Sequence, residues 1–227
     1  MRRTAAIRDM FAMPTPGPEK FIWPVFVAPG SGRREAIASM PGQFRYSADE
    51  LVKALAPVVA QGVKSVLLFG VPDAQGEGKD ECGTSAADPH GVVQRAIPVL
   101  RAAYPDLVIF TDVCLCAYTS HGHCGPRDPR TALRESVLDE AEGADALMVK
   151  PALFYLDMIR EVSQRTLLPV MAYNVSGEYS MIHAAAAAGY CDLYATARES
   201  LDAIFRAGAT QVISYWAPFY SRIYHMG

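Results

Sequence analysis

Short apolar runs alternate with amphipathic stretches along most of the chain. The run Phe21–Pro29 is bounded by Gly30, a pattern typical of a strand that is buried on both faces. Five further runs have the same character, and all are far shorter than the roughly 20 apolar residues that a membrane span needs. The predicted strands are Phe21–Pro29, Ser65–Pro72, Leu107–Cys114, Ala146–Ala152, Pro169–Ser176 and Gln211–Pro218.

Helical patterns separate these strands. Ser47 and Glu50 have the spacing of a capping box at the start of the first helix, and Pro98 is expected to kink the second. A short helix is expected at the end of the chain. The predicted helices are Ser47–Gln61, Gly91–Pro105, Asp128–Glu142, Phe154–Arg165, Glu178–Ala188 and Ala195–Ala207.

This alternation of strands and helices predicts an α/β fold with a mainly parallel sheet. The glycine-rich turn of dinucleotide-binding folds does not follow the first strand, so that class is disfavoured. Reactive residues instead stand at strand ends, which favours a parallel (β/α) barrel derived from the TIM barrel. A full barrel has eight units and typically about 250 residues, whereas six units are predicted here. Residues 1–20 are expected to form an irregular N-terminal arm, and residues 21–227 a single barrel domain.

The composition is that of an ordinary globular protein. Of 227 residues, 51% are hydrophobic and 20% are charged, which argues against disorder. The net charge is −3 and there is no basic tract, so the sequence gives little support for nucleic-acid binding. Arg2, Arg3 and Arg8 are not followed by the apolar segment of a secretory signal, and a cytoplasmic location is expected.

Three of the five cysteines are close together in the sequence. Cys114, Cys116 and Cys124 form a C-x-C-x7-C pattern at the end of a predicted strand. Three thiolates suit zinc, and three protein ligands with an open position are typical of a catalytic site. His121 or His123 could supply the fourth ligand instead. The alternative is that the three cysteines are buried, reduced and without a metal.

A lysine ends the fourth predicted strand. Lys150 follows the apolar residues Ala146–Val149, so we expect its amine to be half buried. Desolvation disfavours an ammonium ion, and a neutral amine can attack carbonyl groups to form a Schiff base. The alternative is a lysine that extends into solvent from the strand end.

Two hydroxyl residues and a carboxylate also stand at strand ends. Ser176, in the tripeptide Ser-Gly-Glu, and Tyr215 follow the fifth and sixth strands and could bind a substrate carboxylate. Ser176 could equally be the cap of the next helix, and Tyr215 a core residue. Asp112 precedes the cysteine cluster at the end of the third strand.

Taken in order, these segments resemble the porphobilinogen synthase family, also called 5-aminolevulinate dehydratase. The similarity extends from Phe21 to Trp216. The matching motifs are SMPGQFRYS, LLFGVPD with KDECGTSAAD, DVCLCAYTSHGHCG, EGADALMVKPALFYLDMIREV, YNVSGEYSMI and RAGATQVISYW.

The resemblance implies a homo-oligomeric barrel enzyme of tetrapyrrole synthesis, a lyase that condenses two 5-aminolevulinate molecules to porphobilinogen with loss of two waters. Lys150 matches the lysine that forms the Schiff base with the first-bound substrate. Ser176 and Tyr215 match the hydroxyls that hold the carboxylate of that substrate, and Asp112 matches an acidic residue beside the metal. The matches to the catalytic zinc ligands are Cys114, Cys116 and Cys124.

The chain departs from the family pattern after HGHCG, where roughly ninety residues are missing. The resemblance implies that these residues would supply two strand–helix units, a second active-site lysine, an acidic motif and a lid. No lysine lies between Lys79 and Lys150 to replace the missing one. We expect the third and fourth strands either to pair directly, which the short Gly125–Asp128 connection favours, or to be covered in an obligate oligomer.

Three functions remain compatible with these observations. The first is a shortened porphobilinogen synthase whose site is completed by a neighbouring subunit. The second is a diverged enzyme that uses Lys150 and zinc on a single amino-keto acid, or on that acid with another co-substrate. The third is a non-catalytic protein that binds aminolevulinate or zinc, although the retained lysine and cysteines argue against it.

Overall fold

The computed structural model describes residues 14–71, 88–112 and 129–224, together with residues 4, 7 and 10. The described residues form one sheet of eight strands with helices between them. The strands are β1 (Phe21–Val27), β2 (Arg34–Ala36), β3 (Phe44–Tyr46), β4 (Ser65–Gly70), β5 (Val108–Thr111), β6 (Leu147–Val149), β7 (Val170–Asn174) and β8 (Gln211–Ser214).

Strand β1 is the centre of the sheet. Its apolar sequence buries six of its seven residues, as expected for a strand covered on both faces. Along one edge it pairs in parallel with β4, from Ile22 opposite Ser65 to Val27 opposite Gly70. Along the other edge it pairs in parallel with β8 at its first two residues and with β3 at its last two.

The parallel pairing continues outwards from β1 on both sides. Strand β5 pairs with β4, while β7 pairs with β8 and β6 pairs with β7, giving the order β5-β4-β1-β8-β7-β6. All six strands predicted from the sequence are present, although each is shorter than predicted. The prediction of an α/β fold with a mainly parallel sheet is therefore confirmed.

Strands β2 and β3 were not predicted. They form an antiparallel pair in which Arg34 lies opposite Tyr46, and each has only three residues. All of β2 is exposed, so it lacks the apolar run that reveals a buried strand.

The helices occupy the predicted places with small shifts at their ends. Helix α1 begins after Ser47, but the expected capping box is wrong, because the Ser47 hydroxyl accepts a hydrogen bond from the amide of Arg33 at 2.9 Å. The second helix continues through Pro98. The helices are α1 (Ala48–Val59), α2 (Val92–Ala103), α3 (Pro129–Ala141), α4 (Leu156–Arg165), α5 (Ser176–Ala187), α6 (Leu193–Ala207) and α7 (Tyr220–Tyr224).

The two outer strands of the parallel series do not meet. In the described ranges no pairing joins β5 to β6, so the direct pairing expected of these strands is not found there. Val108 on β5 and Met148 on β6 are each about half exposed, as expected of strands that lie at sheet edges. The count of six strand–helix units, the oligomer that would cover these edges, and the division into an arm and one barrel domain stay predictions.

Helix α6 ends at a glycine that the local geometry requires. Gly208 has a φ of 122°, a backbone conformation that side chains disfavour. A methyl group on its Cα would also lie 2.8 Å from Cβ of Ser163, near the end of α4. The packing of α4 against α6 therefore depends on the absence of a side chain at this position.

We predict that Gly208→Ala lowers the free energy of unfolding more than Gly189→Ala does. Both glycines have positive φ, which costs an ordinary residue about 1–2 kcal/mol. Gly189 has a φ of 77° and no atom within 4 Å of the added methyl group, so the excess for Gly208, roughly 1–3 kcal/mol, combines the clash with Ser163 and the greater strain at a φ of 122°. Urea unfolding of both variants tests this, and equal losses would contradict it.

Candidate active site

The parallel strands bring the predicted residues to one edge of the sheet. Asp112 follows β5, Lys150 follows β6, Ser176 lies two residues after β7, and Tyr215 follows β8. Because parallel strands end on the same side, all four residues lie at the carboxyl edge, where barrel enzymes carry their active sites.

Tyr215 forms the buried part of this site. It is 1% exposed, and its hydroxyl lies 2.8 Å from the hydroxyl of Tyr173. The ring of Tyr215 stacks on Phe26 of β1, and the ring of Tyr173 stacks on Phe69 of β4, with centroid distances of 6.0 Å in both pairs. Four aromatic rings from separate strands therefore fix the position of the two hydroxyls.

Burial keeps both tyrosines protonated. It raises the pKa of Tyr215 to about 12, and the nearby Asp112 carboxylate contributes in the same direction. The pKa of Tyr173 is raised further, first by burial and then by Tyr215 and Asp112. Tyr173 can donate to Tyr215, which leaves the Tyr215 proton available to a ligand.

Lys150 is more exposed than the sequence predicted. The expectation of a half-buried amine is wrong, because the lysine is exposed at the end of β6. The apolar residues before Lys150 resemble a strand from the middle of a sheet. Within the described residues, however, β6 pairs only with β7 and has no partner along its other edge. A cis peptide bond joins Lys150 to Pro151.

Ser176 is also exposed, and it is not the cap of the helix. It is the first residue of α5, and the cap position belongs to Val175. The carboxylate of Glu178 accepts the Val175 amide at 3.1 Å, which is the hydrogen bond from the third helical residue back to the cap and identifies Val175 as the cap. Within the described part of the chain, Lys150 and Ser176 make no hydrogen bond with Tyr215 or Tyr173.

Glu178 is a component of the site whose role sequence reasoning missed. It is only 1% exposed, and its carboxylate accepts hydrogen bonds from Leu153 and Val175 amides and from the Asn174 side chain. Burial raises its pKa, and these hydrogen bonds act in the opposite direction. The sequence Ser-Gly-Glu marks the residue, but one of its partners, Leu153, lies 25 residues away along the chain.

The three cysteines lie outside the described residues, as do His121 and His123. Among the residues that are described, no group of three or more His, Cys, Asp and Glu side chains is arranged to hold a metal ion. Asp112 is the last described residue before the cysteine segment and lies at the carboxyl edge of the sheet. The predicted ligand set therefore rests on its donor chemistry, which suits zinc. No helix in the described ranges has the length and apolar character needed to cross a membrane.

Comparison with known proteins gives a consistent result. The family model for delta-aminolevulinic acid dehydratase matches residues 1–128 and 125–223. The dehydratase of Methanothermobacter thermautotrophicus is 36% identical over 312 aligned positions, covering 96% of this chain and 94% of that protein. The dehydratase of Halalkalibacterium halodurans is 33% identical over 309 positions, covering 96% and 93%.

The matches also locate the missing segment. The two matched ranges meet at residues 125–128. The alignments extend over more than 300 positions although the chain has 227 residues, so the relatives carry an additional stretch of about ninety residues. The shortening predicted from the motif spacing is confirmed.

A solved structure supports the same assignment. The delta-aminolevulinic acid dehydratase of Toxoplasma gondii, determined in complex with the reaction product porphobilinogen, superposes with a TM-score of 0.89. It is 27% identical, and the match covers 97% of this chain and 89% of that one. From its motifs, its parallel sheet and these matches, the chain belongs to the delta-aminolevulinic acid dehydratase family, the enzymes also called porphobilinogen synthases.

Proposed function

We propose that this enzyme binds 5-aminolevulinate as a Schiff base on Lys150, as part of porphobilinogen synthase chemistry in tetrapyrrole synthesis. The observation that carries the proposal is the common position of Lys150, Ser176 and Tyr215 after three neighbouring parallel strands. The related Toxoplasma protein was determined with porphobilinogen, which indicates a small-molecule ligand. A soluble cytoplasmic enzyme that forms homo-oligomers fits this role.

Lys150 supplies the nucleophile. Its amine nitrogen adds to the keto carbon of 5-aminolevulinate, and the carbonyl oxygen leaves as water when the imine forms. The exposed position of Lys150 leaves the amine accessible to a substrate that enters from the carboxyl edge.

Ser176 and Tyr215 hold the carboxylate of the same substrate molecule. Both side chains end in hydroxyl groups that can donate to a carboxylate oxygen. Tyr215 stays protonated because of its raised pKa, and the aromatic rings around it fix the direction of its C–O bond. Lys150 follows β6, which pairs with the β7 strand that precedes Ser176, and this supports contact between Lys150 and the other end of the same substrate molecule.

Cys114, Cys116 and Cys124 would hold zinc. A zinc ion with three thiolate ligands and an open position supplies a Lewis acid that polarises an oxygen or nitrogen of the substrate. Asp112, two residues before the first of these cysteines, is proposed as the catalytic acidic residue beside the metal.

The missing segment affects the binding of the second substrate molecule. The resemblance places the second active-site lysine and the lid within the missing ninety residues, whereas Lys150, Ser176 and Tyr215 all follow the junction at residues 125–128. This favours retention of the first-substrate site. The second candidate function is therefore an enzyme that forms the Lys150 imine on one amino-keto acid without a second aminolevulinate.

We predict that borohydride reduction in the presence of 5-aminolevulinate adds the substrate to Lys150. Only an imine is trapped in this way, and peptide mass spectrometry locates the adduct. Lys150→Ala should abolish it, whereas Lys53→Ala, which removes an exposed helical lysine, should not. An adduct on Lys53 or Lys64 would overturn the assignment. Assay of porphobilinogen in the same samples separates the two candidate functions, because the second gives the adduct without product.

We predict that Tyr215→Phe raises the 5-aminolevulinate concentration that gives half-maximal trapping by about 10- to 100-fold. The estimate is the loss of one hydrogen bond to a charged group, about 1.5–3 kcal/mol. Tyr190→Phe is the matched control, because Tyr190 is 85% exposed and outside the site. Equal half-saturation in the two variants would contradict a role for Tyr215 in binding.

We predict about one zinc ion per chain, measured by elemental analysis of the purified protein. Cys116→Ser should lower the zinc content sharply, because two remaining thiolates bind zinc weakly. Cys191→Ser is the control, since this partly exposed cysteine lies far along the chain from the cluster. Full zinc content in a variant lacking Cys114, Cys116 and Cys124 would refute the site.

A further inference from the structure

Glu178 is the most buried carboxylate of the described region and lies in the first turn of α5, two residues after Ser176. We propose that Glu178 is a positioning residue that fixes the relative arrangement of Lys150, Ser176 and Tyr215. The proposal rests on the proposed function of those three residues, and it assigns a role to a residue that contacts none of their side chains in the described structure.

The first part of the argument is the set of direct contacts. One oxygen of Glu178, Oε1, accepts the amide of Leu153 at 2.7 Å, three residues after Lys150. The other, Oε2, accepts the amide of Val175 at 3.1 Å, immediately before Ser176. A single carboxylate thereby joins the segment that follows β6 to the start of α5.

The second part is a chain of hydrogen bonds, here called the relay, that connects Glu178 to the end of β8. Oε2 of Glu178 also accepts from Nδ2 of Asn174 at 2.9 Å. Oδ1 of Asn174 accepts from the Ser214 hydroxyl at 3.0 Å, and that hydroxyl accepts the amide of Trp216 at 3.2 Å. The relay therefore reaches both residues that flank Tyr215.

The third part is burial. Glu178, Asn174 and Ser214 are each at most 1% exposed, so water does not replace a lost partner at low cost. All three contacts to Glu178 come from N–H donors, and only a group with two acceptor oxygens satisfies them together. This arrangement ties the ends of β6, β7 and β8 to one another at the edge that carries the proposed site.

A glutamine at position 178 has the same shape as the glutamate side chain, but it cannot accept the same set of hydrogen bonds. If its amide nitrogen replaces Oε1, it faces the N–H of Leu153, and if it replaces Oε2, it faces the N–H of Val175. One backbone donor loses its acceptor in either orientation. The segment carrying Lys150 or the one carrying Ser176 is then released, while the apolar core is unchanged.

The test is Glu178→Gln in the full chain, with borohydride trapping of 5-aminolevulinate measured over a range of concentrations. We expect the half-saturating concentration to rise about tenfold or more, with the adduct still forming on Lys150 at high concentration. Glu199→Gln is the matched control, because Glu199 is an exposed helical glutamate, and it should leave the curve unchanged.

A purely structural role gives a different result. If Glu178→Gln only lowers the fraction of folded protein, the amount of adduct falls but the half-saturating concentration stays at the wild-type value, and the proposal is overturned. Thermal unfolding of both variants gives the folded fraction independently.

A second measurement keeps the proposal testable if the wild-type protein forms no adduct, which would be a failure of the proposed function. Amide hydrogen exchange reports the network directly. We expect faster exchange at the amide that loses its acceptor in Glu178→Gln, either Leu153 or Val175, with exchange in β1 unchanged. Unchanged exchange at both of these amides would overturn the role of Glu178 whatever the trapping shows.

Discussion

The parallel pairing of strands around β1 is the constraint on which the site depends. A strand that pairs in parallel on both edges must be followed by crossover connections, and every crossover returns the chain to the same end of the sheet. Residues that follow β6, β7 and β8 are therefore neighbours in space although they are distant in sequence, and the Asp112 carboxylate after β5 is near enough to raise the pKa of Tyr173 and of Tyr215. The burial of six of the seven residues of β1 stabilises this pairing, whose register with β4 runs from Ile22 opposite Ser65 to Val27 opposite Gly70.

Two different kinds of interaction then set the positions of side chains at that edge. Aromatic stacking from β1 and β4 fixes the hydroxyls of Tyr173 and Tyr215 from inside the sheet. Hydrogen bonds around Glu178 fix the segments that leave β6 and β7. Apolar packing tolerates small sliding movements, whereas a buried hydrogen-bond network is satisfied in one arrangement only. The hydrogen bonds of Glu178 therefore fix the positions of the segments after β6 and β7 more closely than apolar packing alone does.

The sequence predicted the parts of the fold that depend on continuous apolar runs. All six parallel strands were predicted from continuous apolar runs, and the helices between them from amphipathic stretches. Strands β1, β4, β7 and β8 are largely buried, whereas β5 and β6 are partly exposed. Strands β2 and β3 were missed because three residues are too few for periodicity, and β2 is exposed. The burial of Lys150 was misjudged because a strand sequence does not say whether the strand lies at an edge. Glu178 belongs to the Ser-Gly-Glu tripeptide of the sequence, but its contact with Leu153, 25 residues away, is not readable from the sequence.

The loss of the segment affects the two halves of the family's active site differently. The missing residues belong between the cysteine segment and α3, so their loss leaves the described edges of β5 and β6 unpaired with each other. The residues proposed for the first substrate lie on the other side of β6, where β6, β7 and β8 pair normally and Glu178 joins their ends. That half of the site does not need the missing units for its own hydrogen bonds. We therefore propose that a chain shortened at this point retains imine chemistry at Lys150 whether or not a second substrate is bound, so that the two activities are separable.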